Sequence, residues 1–223
     1  MTGEILTLDQ VGDEGCGGKA YGLARLETMG LAVPPAFVIR SAQAGSYPAE
    51  LDQHYHGLAC ELVAVRSSAL GEDGAEASFA GQYDTVLNVA DEAQLRQAID
   101  QCVASADNER ARQYQGNNNE TATNTMNVVV QRMVDARAAG VVFTADPLSA
   151  RRDLLIIDAV AGLGEALVSG EATPDHYAVN ADGDVVRRQL VGESALLSDD
   201  EINNIATQAR AAVEHEGQPL DLE

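Results

Sequence analysis

Hydrophobic positions change their period several times along the chain, and each change marks an element. Over residues 18–29, Leu23, Leu26 and Met29 recur at three-residue intervals, which predicts a helix with Gly30 as its stop. Pro34-Pro35 then imposes extended backbone on the short apolar run Ala36-Phe37-Val38-Ile39, read as a strand. Residues 41–60 are polar and predict irregular structure. The run 62–66 reads as a buried strand that delivers Arg66-Ser67-Ser68 at its end. A loop rich in Gly, Ala and acids is expected over 69–83, followed by a strand over 85–89. From Asp91, Leu95, Ile99, Cys102 and Val103 keep helical spacing, predicting an amphipathic helix to about residue 115.

Periodicity then stops. Gly116-Asn117-Asn118-Asn119 and the Thr/Asn-rich residues up to Thr125 form a polar linker, the predicted boundary between lobes. Strands are expected beyond it at 127–134, 140–144, 154–158, 176–180 and 185–190, with Asp182-Gly183 as a hairpin turn between the last two. A final helix begins at Ser198, with Glu201 three residues on as a capping box. Ile202, Ile205, Ala209 and Val213 line one face of it until Gly217. The expected fold class is α+β in two lobes, 1–116 and a strand-rich 117–223.

Composition narrows the function. The 223 residues are 45% hydrophobic, a globular share, with 4% aromatics and no Trp, so Ala, Val, Leu and Ile must pack the core. Thirty-five acids against fourteen Lys+Arg give a net charge of -21. That balance excludes nucleic acid and anionic membranes as expected partners, since both require clustered positive charge. Acid excess with arginine in place of lysine also resembles adaptation to high salt, and refolding from low to multimolar KCl tests it; an acidic protein from an arginine-preferring genome is the other reading. Cys16, Cys60 and Cys102 are widely spaced with no CxxC, against a zinc or disulfide framework and in favour of a reducing cytoplasm. No apolar stretch approaches the roughly 18 residues of a membrane span, and the acidic start MTGEILTLDQVGDEG does not read as a signal peptide.

The chain's single lysine is Lys19, in Gly17-Gly18-Lys19 at the mouth of a predicted helix. A mobile ammonium beside backbone N–H groups suits a phosphate; a surface lysine without a role is the alternative. Two common phosphate signatures fail. A P-loop requires a Gly five positions before Gly18 and Ser or Thr after the Lys, but Asp13 and Ala20 stand there. No GxGxxG follows a strand, and Gly162-Leu163-Gly164-Glu165 holds only half of one. What remains is Lys19, Arg66 after a strand, the small-residue loop Ser78-Phe79-Ala80-Gly81 and Gln131 at a strand end. Arg66 also reads as a structural ion-pair partner, and Gly81 as a plain turn.

Taken in order, the motifs are more specific than any one of them. Gly17-Gly18-Lys19-Ala20 with Leu23 and Leu26 is followed by Val65-Arg66-Ser67-Ser68-Ala69 and by Ala77-Ser78-Phe79-Ala80-Gly81-Gln82-Tyr83-Asp84-Thr85. Val129-Val130-Gln131-Arg132-Met133-Val134, Ala139-Gly140-Val141-Val142-Phe143-Thr144-Ala145-Asp146-Pro147, Gly162-Leu163-Gly164-Glu165 and Pro219-Leu220-Asp221-Leu222-Glu223 complete the set. This co-linear run closely resembles the N-terminal nucleotide-binding domain of the phosphoenolpyruvate synthase and pyruvate phosphate dikinase family, which rifampin phosphotransferase shares.

The resemblance implies an ATP-grasp fold with ATP between two lobes. It implies that Lys19 and Arg66 neutralise the ATP phosphates, that Ser78, Phe79, Ala80 and Gly81 cover them with Thr85 close behind, and that Gln131, Arg132, Met133 and Val134 form the adenine hinge. Glu223 matches the acid that holds Mg²⁺, while Glu165 is a weaker candidate whose other role is capping its helix. In the family, phosphate passes from ATP to a histidine on a separate domain and on to pyruvate or another acceptor, so the expected partners are phosphohistidine and phosphoenolpyruvate/pyruvate-binding domains. His54, His56, His176 and His215 lie in none of the motifs, and His54-x-His56 reads as solvated surface rather than a metal pair. Two departures are expected to matter. The stretch between Ile39 and Leu62 is short for the family, and relatives continue past Glu223 into a strand bearing Gln-Ser-Arg-Pro. The sequence therefore predicts a fragment of a longer enzyme or, alternatively, a reduced, non-catalytic nucleotide-binding remnant.

Overall fold

The computed structural model describes the backbone of residues 3–69, 85–113, 125–147 and 152–223, and their side chains except those of Glu14 and 106–113. The Ser78-Phe79-Ala80-Gly81 loop and nearly all of the polar linker lie outside the described residues. The chain forms two compact units, Met1–Val134 and Asp135–Glu223.

The first unit runs β1 (Glu4–Thr7), α1 (Gly18–Thr28), β2 (Ala36–Ala42), α2 (Leu51–Gly57), β3 (Val63–Ser68), β4 (Thr85–Val89), α3 (Glu92–Gln113) and β5 (Met126–Arg132). Its five strands form an antiparallel sheet in the order β1-β2-β5-β3-β4. The sequence reading groups the strand after the linker with the second lobe; β5 instead occupies the centre of this first sheet. Its Val128-Val129-Val130 run explains why. All three are 0% exposed, Val128 and Val130 packing with Leu95 and Ile99 of α3 and Val129 with Ala20 and Ala24 of α1. A strand apolar on both faces is buried only in the middle of a covered sheet. Each fully buried Leu or Ile such as Leu95 and Ile99 contributes about 1.5–3 kcal/mol.

Three expectations change in this unit. β1 pairs with β2 from Glu4↔Arg40 to Thr7↔Phe37, where no element was expected. The residues 41–60, read as irregular, contain α2, which buries Leu51 and Tyr55 and leads to buried Leu58. That spacing is helical, but it lasts only two turns between Pro48 and Ala59. In α1 the innermost residues are Ala20 and Ala24 rather than the Leu23, Leu26 and Met29 stripe, because small side chains bring the helix close to the sheet. The loop before α2 is tied down by charge. The Tyr47 hydroxyl donates to Asp100 at 2.7 Å, Gly45 N–H donates to the same carboxylate at 2.9 Å, and Arg96 grips Asp52 with bonds of 2.7 and 2.8 Å.

The second unit contains β6 (Ala138–Phe143), β7 (Leu154–Ala161), α4 (Glu165–Val168), β8 (Asp175–Asn180), β9 (Val185–Gln189), α5 (Asp199–Glu216) and β10 (Asp221–Leu222). The strands make a second antiparallel sheet, β10-β6-β7-β8-β9. α5 has the capping box read from the sequence: Ser198 Oγ accepts from Glu201 N–H, and Glu201 reaches back to Ser198 N–H. Gly217 closes it at φ 70. Ile202, Ala206 and Ala209 of α5 cover one face of the sheet, against Leu155, Ile157, Tyr177 and Val179.

Within this unit Asp175 is 6% exposed and holds the segment after β9. Its carboxylate accepts from the N–H groups of Val191 (2.8 Å) and Leu196 (2.9 Å) and from the Tyr177 hydroxyl (3.0 Å). Burial alone would raise this carboxyl, but the three donors outweigh it and hold it below its ordinary range. Among the described residues no helix is long and apolar enough to cross a membrane.

Candidate functional site

The strongest convergence of candidate residues lies on the α1 face of the first sheet. Thr85, Arg66, Val129 and Val38 form one row across four strands, through the pairs Arg66↔Thr85, Arg66↔Val129 and Val38↔Val129. Val38 and Val129 pack under Ala20 and Ala24, so Arg66 and Thr85 stand on the face that α1 covers. Arg66 is half-buried and Thr85 exposed. Two residues along, on the same face, Gln131 lies between Ala36 and Ala64. In the other direction Ser68 lies beside Asn127.

The end of β3 holds the start of α1. Gly18 N–H donates to Ala69 O at 3.1 Å, and Ala20 N–H donates to the Ser68 hydroxyl at 3.1 Å. Gly17 makes this approach possible: its φ is +86°, and a Cβ there would stand 2.2 Å from Ser68 O. Asn127 completes the junction by donating to Gly15 O at 3.2 Å and accepting from Ser41 N–H at 3.0 Å. Lys19 leaves the backbone between the two anchored residues, and Arg66 lies two positions before Ser68. The sequence reading expected the helix-start N–H groups to face a phosphate. The amides of Gly18 and Ala20 bond to the strand end instead.

The remaining candidates fall in two places. Gln131, 8% exposed, donates from Nε2 to Pro34 O at 3.2 Å, and Arg132 N–H donates to Pro35 O at 2.9 Å, so the two prolines fasten the end of β5. Met133 N–H donates to Leu62 O, and its thioether accepts from Asn88 N–H at 3.0 Å; Asn88 has φ 59°. Arg132 and Val134 are exposed. Burial raises the Cys60 thiol and the nearby Arg132 guanidinium opposes it. Glu223 and Glu165 belong to the second unit. Glu223 follows β10, which pairs with β6 through Asp221↔Phe143 and Leu222↔Val142, and it is exposed. Glu165 is the first residue of the four-residue helix α4, the position where an acid favours a helix start.

Of the histidines in the first unit, both lie on α2, off this face. His54 and His56 sit two positions apart on α2 and point to different sides: His54 lies 5.6 Å from the Phe37 ring, and His56 contacts Glu92 at 2.9 Å. His176 is bonded to Asp158 at 2.7 Å across β8 and β7. Among the described residues no cluster of three or more His, Cys, Asp or Glu side chains is placed to hold a metal. Sequence reasoning passed over Ser68 and Asn127 as site-building residues; the available signal was a polar residue at each end of otherwise apolar strands.

With this geometry in place, comparison decides the family. The sequence profile described as "Pyruvate phosphate dikinase, AMP/ATP-binding domain" matches residues 45–196. The chain belongs to this family. Arg66, the 78–81 loop, Thr85 and 131–134 fall within the matched residues, and Lys19 and Glu223 outside them.

Three relatives in the family illustrate its range. Prodigiosin synthesizing transferase PigC of Serratia marcescens is 39% identical over 208 residues, covering 78% of this chain and 23% of the relative. A probable phosphoenolpyruvate synthase of Methanocaldococcus jannaschii is 37% identical over 188 residues, 72% of this chain and 16% of the relative. Rifampicin phosphotransferase of a Streptomyces species is 39% identical over 184 residues, 72% and 21%. The chain thus spans between 16% and 23% of the length of these relatives. The 208 aligned positions with the Serratia protein exceed the 78% of this chain they take in, so that relative carries residues missing here.

Solved structures agree on the fold, which is ATP-grasp. PH1788 from Pyrococcus horikoshii Ot3 matches with a TM-score of 0.51 at 16% identity, covering 93% of this chain and 82% of the other. The dinucleotide-forming acetyl-coenzyme A synthetase 1 of Ca. Korarchaeum cryptofilum matches at 0.50 and 14%, covering 99% and 86%.

Proposed function

We propose that this chain is the Mg-ATP-binding domain of a dikinase-like phosphotransferase, in which phosphate leaves ATP for a histidine on a separate domain. The observation that supports the reading is the junction of α1 and β3, which bonds Gly18 and Ala20, on either side of Lys19, to Ala69 and Ser68, close in sequence to Arg66. In this reading the ammonium and the guanidinium fork neutralise the phosphates, with Thr85 paired across from Arg66. Gln131 to Val134 line the base, with Gln131 held by Pro34. Of the two units, the first bears the proposed phosphate cations and adenine hinge, and the second bears the proposed metal ligand.

The exposed carboxylate of Glu223 fits a hard cation that accepts one or two protein oxygens and completes its shell with phosphate and water. Glu223 would hold the Mg²⁺, and the ion would supply charge neutralisation at the phosphates. Phosphoryl transfer depends chiefly on positioning and charge stabilisation, which this set of residues provides without a nucleophile of its own. The histidine domain and a phosphoenolpyruvate- or pyruvate-binding domain are the proposed partners, in the same or a second chain, in a cytoplasmic setting.

Isothermal titration with Mg-ATP tests the reading. The chain is expected to release or absorb heat on binding, and Lys19→Ala to bind several-fold more weakly. No heat from either protein would favour a non-catalytic remnant of the family. Supplying the histidine-bearing domain and detecting radiolabelled phosphohistidine then tests transfer.

A further inference from the structure

The start of α1 lacks a cap of its own. Its N-cap residue is Gly17, which has no side chain to accept from the first-turn amides. A serine 48 positions away does this instead: the Ser68 hydroxyl accepts from Ala20 N–H at 3.1 Å, inside the protein. Ser68 is 0% exposed, and it lies two residues beyond Arg66 on the same face of β3. One hydroxyl therefore links the strand bearing the only arginine of that row to the helix bearing the chain's only lysine.

The link is reinforced on both sides. Ala69 O receives Gly18 N–H, Asn127 beside Ser68 holds Gly15 O, and Gly17 leaves no room for a side chain between the two backbones. A lysine side chain is a flexible four-carbon stem with many rotamers. Fixing the backbone from which it springs narrows the region the ammonium samples, and this lowers what a bound phosphate must order.

We infer that Ser68 is a positioning residue for the phosphate-binding cations: its hydroxyl, acting through the amide of Ala20, sets Lys19 relative to Arg66. The inference rests on the nucleotide-binding reading above and adds to it a residue that touches no phosphate. It requires Ser68 to act through Lys19 and to matter more for a triphosphate than for a monophosphate.

The test is a titration of the full 223-residue chain with Mg-ATP and with AMP, for the parent, Ser68→Ala, Ser68→Thr, Lys19→Ala and the Ser68→Ala/Lys19→Ala double variant. Loss of one cap is expected to lower ATP affinity about fivefold. AMP affinity should change less than twofold, Ser68→Thr should recover most of the loss, and Ser68→Ala should add little in the Lys19→Ala background. Equal losses for ATP and AMP, full additivity with Lys19→Ala, or an unchanged Ser68→Ala would overturn the inference while leaving the nucleotide reading intact. A parent that binds no nucleotide overturns both. If Ser68→Ala does not fold, Ser68→Cys supplies the same reading, because a thiol of similar size accepts the Ala20 amide more weakly. It should then show the ATP-selective loss, and equal weakening of ATP and AMP would again refute the role.

Discussion

In the first unit Ser68 and Asn127 are buried, and each bonds the segment that carries Lys19, Ser68 accepting from Ala20 N–H and Asn127 donating to Gly15 O. In the second unit Asp175 is also buried, and it accepts from the N–H groups of Val191 and Leu196, in a segment with no candidate chemical group. The physical problem is the same in both, since a buried polar atom must be satisfied. The consequence differs: one anchor fixes the backbone on either side of Lys19, and the other fixes a loop against a sheet. A buried polar side chain is thus a marker of function only through what it holds.

The glycines offer the sharpest way to break this comparison. A Cβ at Gly17 would stand 2.2 Å from Ser68 O, and one at Gly140 would stand 2.2 Å from Asp158 O. Gly17→Ala adds strain at φ +86° to that clash and is expected to cost about 3 kcal/mol or more of stability in the first unit. Gly140→Ala should cost somewhat less and act on the second sheet. Urea unfolding with hydrogen exchange resolved by unit checks both, and Mg-ATP titration should show the larger loss for Gly17→Ala. Nucleotide losses of equal size would erase the distinction.

A smaller effect is expected from Asp175→Asn, about 1–3 kcal/mol, because amide donors would face a weaker acceptor and a misplaced NH₂. Exchange should quicken in residues 190–197, with ATP affinity changed less than twofold. A strong loss of ATP affinity would make this anchor functional after all.

The smallest effect is a pH dependence confined to the start of α5. The Ser198 amide and hydroxyl, and then Arg137, hold the Glu201 carboxyl at about 2, below its ordinary 4.5. A depressed carboxyl contributes stability that is complete above 4.5 and is lost as pH falls toward 2. Acid unfolding followed by circular dichroism should show a shallower slope in that window for Glu201→Gln, and identical slopes would refute the cap's charge as its source.

Much of this was readable beforehand where one signal dominated. The capping box at Ser198 and Glu201, the Gly217 stop and the apolar stripe of α3 depend on local spacing, and the structure places them as read. The fold family was readable from ordered motifs rather than from any one of them. What the sequence hid was long-range. β5 looked like part of a strand-rich second half because its neighbours in sequence are strands, while its partners β2 and β3 lie far back in the chain. Ser68 looked like the tail of an arginine motif, since nothing local shows that it caps a helix 48 residues earlier. α2 was too short, and too closely flanked by turn residues, for its period to register.

The central claim is that the α1–β3 junction gathers scarce positive charge around a triphosphate, and Arg66 tests it most directly. Titration with Mg-ATP should show Arg66→Ala binding more weakly by about 1–3 kcal/mol, the usual cost of losing a charged hydrogen bond, with Arg66→Lys recovering only part because it lacks the planar fork. An Arg66→Ala affinity equal to that of the parent chain would contradict the claim.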